Sequence, residues 1–125
     1  MTGQTTALRG LVAAQLVTVP GEVYHKKADE NAVYPYKTYS VERVNVSDLS
    51  RDDYSLCVDI WDRAQDWKAV ETLADQITQL FNAANLPQDT ILPTFYRDSS
   101  YPVEDPDKEL QHWQLHFIVQ LYPNE

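Results

Sequence analysis

Residues 54–84 read YSLCVDIWDRAQDWKAVETLADQITQLFNAA, and the change of hydrophobic period inside this stretch decides the fold. Tyr54, Leu56, Val58 and Ile60 alternate with Ser55, Cys57, Asp59 and Trp61, the period of a strand with one face on a core. From Asp62 to Ala84 the pattern is helical, with Val70, Leu73, Ala74, Ile77, Leu80, Phe81 and Ala84 at i, i+3, i+4, i+7, i+10, i+11 and i+14. Lys68, Glu71, Asp75, Gln76 and Gln79 occupy the other side of that helix. Asp66 is placed to cap its start by accepting from an unpaired backbone N–H, and Asn85, Leu86 and Pro87 end it.

Upstream, Leu8, Leu11, Val12 and Leu16 share one helical stripe, which predicts a helix over Thr6 to Val17 ended by Pro20 and Gly21. Glu22 to His25 reads as a short strand, and the polar Lys26 to Asn31 as a mobile loop. Thr38, Tyr39, Val41, Val44 and Val46 favour a strand over Tyr36 to Val46; Ser47 to Asp53 then turns the chain into a hairpin with the Tyr54 strand. Downstream, Ile91 to Tyr96 reads as a strand whose Pro93 suits an edge or a bulge. Trp113, Leu115, Phe117, Val119 and Leu121 mark the buried face of a last, longer strand. Helix, strand, strand, strand, helix, strand, strand is not the regular alternation of a parallel sheet. It predicts an α+β fold, a mostly antiparallel sheet of about four to five strands with two helices packed on one face.

At 125 residues the chain is expected to form one domain, residues 1–125, around one core. No apolar run approaches the roughly 20 residues of a membrane span, and no basic-then-apolar signal peptide opens the chain. The expectation is a cytoplasmic product with no membrane partner. A lone cysteine, Cys57, excludes an internal disulfide and two-cysteine metal motifs. The formal net charge of −9, from 19 acidic against 10 basic residues, disfavours generic and sequence-specific nucleic-acid binding. It is compatible with DNA passing close by without sticking.

Catalytic constellations are weak. His112 and His116 share a strand face but stand about 13 Å apart, too far to meet at one metal ion, and read as part of a solvated polar face. Cys57 has no histidine near it in sequence and reads as a packed thiol. The carboxylates of Asp52, Asp53, Glu104, Asp105 and Asp107 lie in predicted loops and read as solvated charge. With glycine only at 3, 10 and 21 there is no phosphate cradle, and no cofactor is implied. The aromatics point instead to protein contact. Trp61 is the best placed of three tryptophans, whereas Trp113 fits the core and Trp67 a staple between strand and helix. Tyr34, Tyr36, Tyr96 and Tyr101 fall near strand or loop ends.

The strand closing on Val58-Asp59-Ile60-Trp61, the polar turn Asp62 to Asp66 and the helix centre Leu73-Ala74-Asp75-Gln76-Ile77 resemble the tail-completion family of long-tailed bacteriophages. The initial helix, the Tyr-Pro-Tyr at 34–36, and the later strand, Asp-rich turn and Trp113 to Leu121 strand extend the resemblance over nearly the whole chain. It departs from the family in a less aliphatic strand after Tyr36 and a more charged Lys26 to Asn31.

The resemblance implies a structural virion protein of the tail or neck, assembled in the host cytoplasm and not an enzyme. Such a protein forms a homo-oligomeric ring, commonly a hexamer, that caps the tail tube, ends its polymerisation and joins it to the head connector. Its partners would be copies of itself, the tail-tube protein and the head–tail connector protein. The contact residues expected are Tyr36, Trp61, Arg97, Asp98, Tyr101, Glu104, Asp105 and Lys108, the last six in a loop over Arg97 to Lys108 that mixes charge with an apolar centre. Another neck or head-closure component, and a small cytoplasmic binding module unrelated to phage, are the alternatives.

Overall fold

Leu8, Leu11, Val12 and Leu16 do form the buried stripe of a helix, α1 (Gln4–Leu16), in the computed structural model, which describes residues 3–46, 52–64, 66–82 and 91–123. The chain continues through β1 (Glu22–His25), β2 (Tyr36–Val46), β3 (Asp52–Asp62), α2 (Lys68–Phe81), β4 (Ile91–Val103) and β5 (Gln111–Pro123). The strands make one five-stranded sheet in the order β1-β2-β3-β5-β4. Every pairing is antiparallel except β1 with β2, which run parallel. β3 and β4 therefore point the same way with β5 between them, and α2 is the crossover that carries the chain past β5's place. This is the α+β fold expected.

Both helices cover the same sheet face. α2 packs over β3, β4 and β5, while α1 reaches β2, β4 and α2. Beneath them Tyr54, Leu56, Val58 and Ile60 of β3 meet Leu115, Phe117, Val119 and Leu121 of β5, all almost without exposed surface. Phe81 closes the core from α2, its ring 4.9 Å from Phe95 and 5.4 Å from Phe117. Leu80, expected on the core stripe, is only half-buried beside the core.

The elements differ from expectation at their ends. α2 starts at Lys68, because Trp61 and Asp62 still belong to β3 and Asp66 sits just outside the helix, its Oδ1 accepting from the Lys68 N–H at 2.9 Å. Asp52 and Asp53 open β3 instead of lying in a solvated loop; Asp52 accepts from Gln4 and pairs with Arg43 at 3.6 Å. The rest of the hairpin turn, and the helix end over Ala84 to Pro87, fall outside the described residues. β4 is an edge strand, as Pro93 foretold, but it runs on to Val103 through a register shift between Arg97 and Ser99. Arg97 to Val103 is thus strand, and only residues 104–110 form the loop.

The end of α1 is fixed by a buried cation. Lys37 has no exposed surface, and its Nζ donates to the carbonyls of Val19, Pro20 and Gly21 at 2.9, 2.8 and 2.8 Å. Those carbonyls follow a helix end, where acceptors lack helical partners. Gly21 makes the turn possible: its φ is +101°, and a Cβ there would stand 2.9 Å from the Pro35 carbonyl oxygen.

Candidate interaction surfaces

The face of the sheet that the helices leave uncovered carries a row of rings set by register. Tyr36 on β2 stands opposite Trp61 on β3, and Trp61 opposite His112 on β5. The Tyr36 and Trp61 rings stack at 6.4 Å, and Trp61 and His112 stack with nearly parallel planes at 3.7 Å. Tyr24 meets Tyr36 edge-on at 6.0 Å, Tyr34 lies 5.3 Å from it, and the Arg63 guanidinium sits over the Tyr34 ring at 5.7 Å.

Below this row Asp59 gathers the polar groups. His112 Nε2 lies 2.6 Å from its Oδ1, Gln114 Nε2 donates to the same oxygen at 2.9 Å, and the Cys57 thiol faces Oδ2 at 3.6 Å. Burial alone raises the Asp59 pKa, but the hydrogen bonds from His112 and Gln114 outweigh it and hold the carboxyl below its usual range. An ionised carboxylate only accepts, so the proton of this contact sits on His112 Nε2. His112 is therefore buried and bonded, not part of a solvated face as its sequence position suggested.

Cys57 likewise has a histidine across the strand pair, His116, which the linear sequence concealed. Burial, then the negative Asp59, still push the thiol up to about 12, so it stays protonated and packed at neutral pH. Among the described residues no group of three or more His, Cys, Asp and Glu side chains is arranged to hold a metal ion.

The eight contact residues expected from sequence fall into separate places. Tyr36 and Trp61 touch. Tyr101 lies on the same open face, its hydroxyl 2.7 Å from Gln114 Oε1 and its ring stacked on His116 at 6.1 Å. Arg97 and Asp98 are exposed at the β4 register shift, beside a shallow hollow shared with Thr78 and Ser100. Glu104, Asp105 and Lys108 line a larger groove of about 710 Å³ with Trp67, Trp113 and Pro102.

The loop carrying them is tied down. Asp105 Oδ1 accepts from the Asp107 N–H at 2.9 Å, and Asp107 Oδ1 from the Glu109 N–H at 3.1 Å. Arg63 pairs with Asp107, holding that carboxyl below its usual range, and reaches Glu109 at 3.8 Å. Trp67 and Trp113, read from sequence as staple and core, are partly buried and pack against the core, and they also wall the groove, rings 6.4 Å apart at 62°. The grouping of Asp59 with His112 and Gln114 also went unread. His112 and Gln114 share the even-numbered face of β5, and that face meets Asp59 only once β5 is paired with β3.

A sheet with one packed face, one open aromatic face and a walled groove defines a small α+β protein equipped for contact. A family profile described as "Tail completion protein gp17" matches residues 5–121, and the chain belongs to that family. It is thus a structural protein of the bacteriophage tail, as the resemblance led one to expect, and the unrelated binding module is set aside. The fold is also that of a solved chain from a structure described as "Virion of native gene transfer agent (GTA) particle". The two share 13% identity at a TM-score of 0.64, over 97% of this chain and 90% of that one. No curated protein matches the sequence.

Proposed function

We propose that the chain is a single-domain, non-catalytic subunit of a ring, hexameric in the simplest case, that caps the finished tail tube. There it ends polymerisation of the tail-tube protein and joins the tail to the head connector protein. One observation carries the reading most directly: a member of the tail completion family presents an open sheet face on which Tyr36, Trp61 and Tyr101 are only partly covered. Partly exposed aromatics of this kind supply large, rigid contact area. A ring with rotational closure also needs two different patches on each subunit, and the open face and the Trp67–Trp113 groove are distinct.

The net charge of −9 suits a lumen through which DNA slides without ion-releasing contacts. A solved ring with a basic lumen would contradict that part. The capping role is tested by adding the purified protein to assembling tail-tube subunits. Rings at one end of tubes that then stop growing are the expected result. Tubes that lengthen unchanged with no bound protein overturn it, and rings found only on isolated head connectors would make it a head-closure component.

A further inference from the structure

We propose, resting on the ring reading above, that neighbouring subunits are joined by the Lys26–Lys27 turn of one copy entering the Trp67–Trp113 groove of the next. The groove opens between the start of α2, the end of β4 and the β4–β5 loop. Its walls are the two indoles, with Pro102 and Val103 adding apolar surface. Its rim carries Glu71, Glu104, Asp105 and Asp107 against the single cation Lys108. Asp107 is committed to Arg63, but Glu71 and Glu104 have no ion-pair partner among the described residues, and Asp105 accepts only a backbone N–H. Aromatic walls under a surplus of carboxylates fit a cationic side chain with a long apolar stem, which lays its methylenes on the indoles and its charge at the rim.

This chain offers such side chains in one concentrated place. Lys26-Lys27 is the only adjacent pair of basic residues in the sequence. Both are exposed and without an ion-pair partner among the described residues, whereas Lys37, Arg43 and Arg63 are already engaged. The turn is also held by backbone hydrogen bonds where it leaves β1. Lys26 holds a φ of +68°, its N–H donates to the Tyr39 carbonyl at 2.8 Å, and the Lys27 N–H donates to that of His25 at 2.8 Å. A preorganised turn loses little freedom on docking.

Position completes the fit. The turn follows β1 at one edge of the sheet, and the groove adjoins β4 at the other, four strand steps or about 19 Å away. A contact between opposite flanks is heterologous: each copy gives its turn to one neighbour and its groove to the other, which is how a closed ring is built.

The test compares tails made with the wild-type chain, with Lys26→Glu/Lys27→Glu, with Glu104→Lys/Asp105→Lys, and with all four substitutions together. Each reversed pair is expected to lower ring occupancy on purified tails by roughly tenfold or more, and the fourfold variant to restore it because the pairing re-forms with opposite sign. Unchanged melting temperatures establish that the surface variants fold. As an independent readout, Lys27→Cys with Glu104→Cys in a Cys57→Ser background should oxidise on tails to a ladder of multimers. Rings that survive either reversal, a fourfold variant that fails to restore them, or an oxidised sample without the ladder overturns the docking. Rings that stay intact but leave the tube when the groove is reversed also overturn it, by assigning the groove to the tail tube. A wild-type chain that forms no ring on tails removes the ring reading itself, and is told apart by that arm alone.

Discussion

Lys37 and Cys57 show how far the residue scale departs from what a residue type announces. A lysine in a strand reads as a solvent-facing position, yet Lys37 is fully buried and gives its ammonium to three carbonyls at the end of α1. Nothing local encodes this; the carbonyls arrive from residues 16 to 18 positions earlier in the chain. Burial lowers the Lys37 pKa from 10.5 to about 8. The unfolded chain then binds more protons than the folded one between those values, so the cost of the buried charge is full below pH 8 and is relieved as pH rises toward 10.5. Urea denaturation at stepped pH should show wild-type stability gaining on that of Lys37→Met across this window, and parallel curves would contradict it. Cys57 carries the complementary expectation. Its thiol, pushed up to about 12, should resist maleimide at neutral pH in the folded protein and react once urea unfolds it.

The elements that could be read from sequence are those whose periodicity is complete within the element. β3 and α2 were legible for that reason: Tyr54, Leu56, Val58 and Ile60 in one, Val70, Leu73, Ala74 and Ile77 in the other, are buried as their spacing requires. The rest of β4 was not, because Arg97 to Pro102 lie exposed past the core, so no apolar alternation marks them. The parallel pairing of β1 was not legible either, since a four-residue strand carries no sign of direction. Within α2, Ile77→Ala should cost roughly 2–5 kcal/mol by removing buried methyls and leaving a cavity. The exposed Gln79→Ala should stay within about 0.5 kcal/mol of wild type. Denaturant midpoints check both, and equal losses at the two positions would mean that α2 does not pack on the sheet as described.

At the scale of the whole molecule the family was legible while the contacts were not. The order of elements runs the length of the chain, and the match over residues 5–121 rests on that extent. Tyr36 and Trp61 were picked out as bulky rings near strand ends, and strand pairing made them neighbours. The groove that Trp67 and Trp113 also wall was not legible, because it belongs to several elements at once and no single one of them shows it. What a subunit does in a particle depends further on copies and partners that its own residues only complement. The central claim, that this protein ends the tail tube and joins it to the head, is tested most directly by electron microscopy of particles made without it. Overlong tails, or finished tails separate from filled heads, are the predicted result. Normal, infectious virions with tails of wild-type length would contradict the account.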